Sequence, residues 1–312
     1  MNNSSFGKGF IYGIASYILW GSLPIYWRLL VEINPFQLLG FRIIFSLVFV
    51  GSVLFLGKNY SWIKFYKDKQ TRVYMFFMSV FVCINWGLYI WAVNNGYTIE
   101  ASLGYYIAPL MMIVMGLVLF KEKQKPLQLV AFIFALIGVA ILTLFTGKLP
   151  WISICLALSW TIYSFLKKTV NLSSLESLGA ETLIASPLGV FLIFSVFGNG
   201  EAYQFLGTQA LTNILKLTNF TIIMLLICGV ATSTPLYLFA KAVRILPLTS
   251  IGFLQFLSPT MTFLIGLLIF REHFPVRNFF AFGFIWIAAI FYIISLMPFS
   301  RKKKNYNSID EI

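Results

Sequence analysis

The sequence predicts an all-α integral membrane protein, with ten transmembrane helices arranged as two inverted five-helix repeats. Three observations predict it. The 312 residues are 59% hydrophobic and only 11% charged, where soluble domains carry roughly 25% charged residues. Apolar runs of about 20 residues, each long enough to cross the hydrocarbon of a bilayer, recur along the whole chain. Finally, the stretch PLMMIVMGLVLFKE (Pro109 to Glu122) returns as PTMTFLIGLLIFRE (Pro259 to Glu272), with Pro, Met, Gly, Leu, Phe and Glu coinciding and Lys121 facing Arg271. About half the chain separates the copies. Each half holds five spans, an odd number, so the second half enters the membrane the other way up. Inverted repeats of this kind are the architecture of carriers that rock about a site near the midplane.

The spans fall at 9–30, 35–56, 73–94, 98–120, 126–146, 150–167, 176–197, 219–240, 248–270 and 276–298. The first is too long for a signal sequence and shows no small-residue cleavage site before Pro24, so it reads as a retained span. The sixth is short and ends at Lys167 and Lys168. Residues 1–147 form the first repeat, 148–300 the second, and 301–312 a basic tail.

The net charge of +13 raises the question of nucleic acid, and the positions of the charges answer it. With a cytoplasmic N-terminus, 17 of the 23 Lys and Arg lie on the inner side. Five lie outside (Arg28, Lys148, Lys216, Arg271, Arg277), and Arg42 lies within a span. The excess of inner positive charge orients the chain with both termini in the cytoplasm. The basic surplus is a topology signal, and no nucleic-acid partner is expected. Membrane lipid and a small solute are.

Several chemistries are missing. Cys83, Cys155 and Cys228 stand singly, without the spacing of a metal or disulfide framework. There is no phosphate loop of the G-x-x-x-x-G-K-[ST] type, no potassium-filter sequence, and one histidine, His273, in an outer loop. The chain is read as a non-enzyme with no cofactor and no metal.

The polar residues inside the membrane are the candidates for function. Arg42 sits seven residues into span two, ~10 Å deep at 1.5 Å per residue, where a charge is unfavourable unless paired or wetted. Glu100, at the outer start of span four, is its expected ion-pair partner. Asn85 lies inside span three, with Asn94 and Asn95 near its outer end; asparagine in lipid glues helices or meets a polar solute. Trp20, Trp86 and Trp91 offer flat faces, and Trp91 suits an interfacial belt. Pro109 and Pro259 each lack the N–H that would bond the carbonyl four residues earlier. They free the carbonyls of Tyr105 and Gln255 and serve as hinge or kink positions. Ser102, Tyr105 and Pro109 share one helical face, as do Gly252, Gln255 and Pro259. Either stripe suits a cavity wall or a packed kink. Glu181 and Lys241, near span ends, rank below these because they can snorkel. Glu122 and Glu272 close the repeated motif and read as structural caps for the helix that follows.

The chain resembles the RarD group of EamA-type permeases, within the drug/metabolite transporter superfamily. The resemblance runs nearly end to end. It rests on Trp20-Gly21 with Pro24, Arg42 to Ser46, Asn85-Trp86 through Asn94-Asn95, Glu100 to Tyr105, Pro109, Glu122, and Gly252-Phe253 with Gln255 and Pro259. It implies a ten-helix secondary transporter around a central cavity, exporting small metabolites or drugs from the bacterial cytoplasm. Arg42, Asn85, Trp86, Asn94, Asn95, Glu100, Tyr105 and Gln255 would line the path. A coupling proton and a second copy of the chain are candidate partners. The family pattern often carries a His just before the span-two arginine and a Glu four residues before that His; here those positions are Phe41 and Gln37. This departure removes two titratable groups and leaves Glu100 for proton coupling. The alternative is a polytopic sensor or assembly partner without flux, which would more often carry a large soluble domain.

Overall fold

The computed structural model describes residues 3–144, 150–196, 204–205, 217–271 and 276–296. Within them the chain is helical but for one short clip. The helices are α1 (Asn3–Arg28), α2 (Pro35–Leu56), α3 (Lys69–Asn94), α4 (Thr98–Val118), α5 (Pro126–Leu144), α6 (Trp151–Thr169), α7 (Ser174–Ile193), α8 (Asn219–Ile245), α9 (Leu248–Gln255), α10 (Leu257–Leu268) and α11 (Val276–Leu296). The clip is β1 (Ser195–Val196), paired antiparallel with β2 (Gln204–Phe205). Eight spans are long and apolar enough to cross a membrane, α9 and α10 counting as one. α1 falls outside that set because four glycines and four serines dilute it, and α6 because it is short and ends in Lys167 and Lys168.

Local chemistry sets the helix starts. Asn34 accepts the Phe36 N–H at 3.0 Å ahead of Pro35, Asp68 accepts the Thr71 N–H at 2.8 Å, and Ser173 with Glu176 forms a reciprocal capping box. α4 and α9 have no side-chain cap of their own.

The helices pack in defined pairs: α2 along α7, α1 along α8, α3 along α6, and α5 along α11. α4 lies against both α6 and α9, and α10 against α1. An aromatic core sits where α1, α6 and α8 meet: Trp160 is 5.3 Å from Trp20, 5.2 Å from Tyr163 and 5.2 Å from Phe239, ring centre to ring centre. Large apolar side chains such as Phe55, Leu144 and Phe280 point outward, as a lipid solvent allows and water would not.

The two copies of the proline motif behave differently. α4 runs unbroken through Pro109. The path carrying Pro259 is interrupted after Gln255, where the Phe256 N–H turns back to the Phe253 carbonyl at 3.4 Å before α10 resumes. The Gly252 stripe is spent on a crossing with α4, not on a cavity wall. A Cβ on Gly252 would lie 2.7 Å from the Pro109 carbonyl oxygen, so only glycine lets these backbones approach.

Candidate functional site

The site is built on α2. Its helical period turns Arg42 and Ser46 toward α8, where Arg42 Nε donates to Thr232 Oγ1 at 3.2 Å and Ser46 Oγ donates to the Gly229 carbonyl at 3.4 Å. The Arg42 guanidinium lies between two indoles, 4.6 Å from the Trp27 ring centre and 4.7 Å from that of Trp86. Each cation–π contact contributes about 0.5–2 kcal/mol, more as water is excluded. The aromatic faces replace part of the hydration that the charge loses at this depth. Nε is the one Arg42 nitrogen with a hydrogen bond; the two terminal nitrogens have none among the described residues. Tyr105 and Cys228 stand within electrostatic reach, and Tyr105 meets Tyr89 edge-on at 5.3 Å. A cation held flat with its donor end unspent can receive an anionic oxygen.

The expected Arg42–Glu100 ion pair is not made. Glu100 occupies the first turn of α4, where the helix dipole favours a carboxylate. Its carbonyl accepts Ser153 Oγ of α6 at 2.6 Å, and its Oε2 is buried without a partner among the described residues. Arg42 is held by the aromatic clamp and Thr232 instead.

The EamA-like transporter family matches residues 7–144. The uncharacterized transporter YojE of Bacillus subtilis is 36% identical over 98% of this chain and 100% of its own length. Protein RarD of Streptomyces exfoliatus is 32% identical over 95% of this chain and 91% of its own. The chain belongs to the RarD-type EamA transporters. RarD of Escherichia coli is 28% identical over 95% of the chain. A solved crystal structure superposes with a TM-score of 0.66 over 92% of this chain and 97% of its own, at 16% identity, which speaks to the fold alone. The RarD-type chain is therefore a multi-pass membrane transporter.

The remaining predicted residues sort by geometry. Trp86 belongs to the Arg42 clamp. Asn85 is 1% exposed and staples α3 to α6, its Nδ2 donating to the Leu156 carbonyl at 2.8 Å and Ser159 Oγ at 3.0 Å. Asn95 caps its own helix, donating to the Trp91 carbonyl at 2.8 Å. The Asn94 side chain, Glu272, His273 and the tail 301–312 lie outside the described residues. Gln255 is buried at the helix break, its Oε1 without a partner among the described residues. Trp20 is half-buried against the aromatic core, and Trp91 is exposed and stacked on Tyr97 at 5.7 Å. Lys241 lies over the rings of Tyr12 and Tyr237.

Three features escaped sequence reasoning. Trp27 and Thr232 complete the Arg42 site, and only Trp27's place near the outer end of span one hinted at this. Lys167 and Glu181, read as an inner-loop lysine and a snorkelling glutamate, form the one ion pair among the described residues, 3.0 Å long and buried on both sides. Glu122 does cap a helix, but not the next one. It accepts the N–H groups of Leu248 at 2.6 Å and Thr249 at 2.9 Å, plus Thr249 Oγ1 at 2.7 Å, so it closes the bare N-terminus of α9 from across the molecule. No three His, Cys, Asp or Glu side chains come together to hold a metal among the described residues.

Proposed function

We propose that this chain is a secondary transporter that moves a small metabolite or drug out of the bacterial cytoplasm by alternating access. On this reading ten spans form two inverted halves, residues 1–147 and 148–300, and the inner excess of Lys and Arg puts both termini in the cytoplasm. The observation that carries the reading is Arg42: a charge about 10 Å into the membrane by its sequence position, clamped between Trp27 and Trp86, with its terminal nitrogens unbonded. A structural arginine at that depth would spend those donors on protein oxygens. The arrangement suits a solute with a carboxylate or phosphate group and a flat apolar body.

Pseudosymmetry supports the two halves. One offset of 139 residues relates Gly40 to Gly179, Arg42 to Glu181 and Leu54 to Ile193. The space at Gly40 is filled by Ile193 and that at Gly179 by Leu54, as a two-fold axis between α2 and α7 requires. Lys121 and Arg271, equivalent in the repeated motif, both take left-handed backbone, with φ of 50° and 53°. The helix packing follows the same pairing, α1 with α8 answering α6 with α3.

Rocking is supported by the unequal proline motifs and by closure of the inner face. Glu122 holds α9, Lys125 Nζ donates to the Ser295 carbonyl, and Lys168 Nζ donates to the Val243 and Leu246 carbonyls at the end of α8. With that side sealed, a solute reaches the Arg42 site from the cytoplasm only after these contacts open.

The test is exchange into proteoliposomes of an isotopically labelled cell extract, wild type against Arg42→Ala. Faster exchange of one or a few anionic solutes by the wild type, lost in the variant, is the expected result. No accelerated solute with well-inserted protein would overturn the reading.

A further inference from the structure

Glu181 is the buried carboxylate that the carrier reading leaves without a task. It projects from α7 and is 3% exposed. Its Oε1 takes both available donors, Lys167 Nζ at 3.0 Å and the Tyr163 hydroxyl at 3.2 Å. Its Oε2 is buried with no partner among the described residues. A purely structural ion pair inside a membrane satisfies both oxygens, because an unpaired buried oxygen forfeits its hydration for nothing. Glu181 also lines a cavity of about 20 Å³ with Ser46, Thr182, Cys83 and Trp86. That space holds one water and no metabolite. Trp86 is at once a wall of this cavity and one face of the Arg42 clamp. Arg42 and Glu181 are equivalent under the 139-residue offset, each seven residues into its helix. They lie at matching depths from opposite faces and carry opposite charge.

We propose that Glu181 is the site at which a coupling proton binds, with Lys167 as its switchable counter-charge. The proposal rests on the carrier reading above and assigns its driving ion. A hydronium in the cavity gives its proton to Oε2; one O–H bond forms, a water remains, and the carboxylate becomes a neutral acid. The Lys167 ammonium keeps its charge, so the cluster passes from net zero to net +1. A buried ammonium without its counter-ion is strongly disfavoured, so protonation favours the state in which the inner end of α6, two residues beyond Lys167, reaches cytoplasmic water. That link between occupancy and conformation is what coupling needs. A proton fits better than a metal cation. The space is small and walled largely by the hydrocarbon of Ile43, Val82, Ala185 and Leu236, so a sodium ion would find few oxygens. The groups facing Glu181 are Lys167 and Tyr163 from α6 and Cys83 from α3, while Arg244 of α8 acts on Lys167. α2 and the short 3-10 turn at Ser61–Tyr66 bring no charged group against it among the described side chains.

The test is infrared difference spectroscopy of the full-length protein in lipid nanodiscs, acid minus alkaline, with no solute added. The expected result is a protonated-carboxyl carbonyl band that is lost in Glu181→Gln, kept at a changed frequency in Glu181→Asp, and kept in Glu100→Gln. If Glu181→Gln does not fold alone, the neutral pair Glu181→Gln with Lys167→Met supplies the same comparison. A band that survives removal of the Glu181 carboxyl, that disappears with Glu100 instead, or that never appears would overturn the proposal. Because no cargo is present, failure here leaves the Arg42 carrier reading standing. Failure to find a transported solute likewise leaves this titration standing.

Discussion

At the scale of single residues, Arg42, which we propose meets the solute, and Asn85, which staples two helices, differ in how their donors are spent. Both are legible as polar residues inside a span, and the sequence does not tell them apart. The distinction lies in partners drawn from elsewhere in the chain: Thr232 and Trp27 for Arg42, Leu156 and Ser159 for Asn85. Asn85→Ala is expected to lose about 0.6–2 kcal/mol of stability, as interhelical hydrogen bonds in membranes do. A thermal melt in detergent reads this, and per-molecule transport should survive. Arg42→Lys should behave otherwise, because a compact ammonium cannot present a flat face to two indoles or a forked donor to an anion. The protein should fold normally and its transport fall at least tenfold. A Lys variant with normal flux would show that charge alone suffices. The expected Glu100 partnership fails because proximity in topology is not contact; a carboxylate in the first turn of its own helix already sits in favourable potential.

At the scale of elements, the spans themselves are legible, since lipid imposes length and hydropathy on each one. Their starts follow from Asn34, Asp68 and Ser173. Asp68 is exposed, and hydrogen bonds from the Thr71 hydroxyl and amide hold its carboxyl below the usual carboxylate range. Its folded value being depressed, the cap's contribution is present above the unfolded carboxylate value and is lost as pH falls through the folded one. Protection of the first-turn amides of α3, corrected for the intrinsic exchange rate at each pH, should therefore fall in acid, and Asp68→Asn should remove that pH dependence while keeping the cap. The interruption between α9 and α10 is not legible, because Pro109 and Pro259 sit in matching motifs and only one of them accompanies a break. Glu122 is legible as a cap but not as one that reaches across the molecule, since no pattern along the chain links residue 122 to residue 248. Glu122→Gln keeps the shape and removes the charge at the α9 terminus. It should cost about 0.5–2 kcal/mol and loosen the inner face, read as faster labelling of a cysteine placed at Leu248.

At the scale of the whole molecule, the recurring apolar runs make a multi-pass membrane protein readable along the chain itself, and the repeat and the uneven charge are the grounds for the inversion and orientation we propose. A motif recurring after an odd number of spans implies inversion, and lysines gathered on one side imply orientation. The Lys167–Glu181 pair stays hidden at that level because Lys167 belongs to the inner charge by position, although it is fully buried. On the inverted topology, a maleimide should reach a cysteine placed at Asn305 only after the cytoplasmic membrane is opened. Labelling of intact cells there would reverse the orientation and exchange the inner and outer faces throughout. The central claim is that the chain carries a small solute through the Arg42 site. Its most direct test compares the metabolites in spent medium and cell extract from cells making the wild type or Arg42→Ala at equal membrane levels. The account predicts that one small anionic solute accumulates outside only the wild-type cells. Identical profiles across amino acids, nucleosides, organic acids and common drugs, with both proteins in the membrane, would contradict it and favour a sensor or an assembly partner instead.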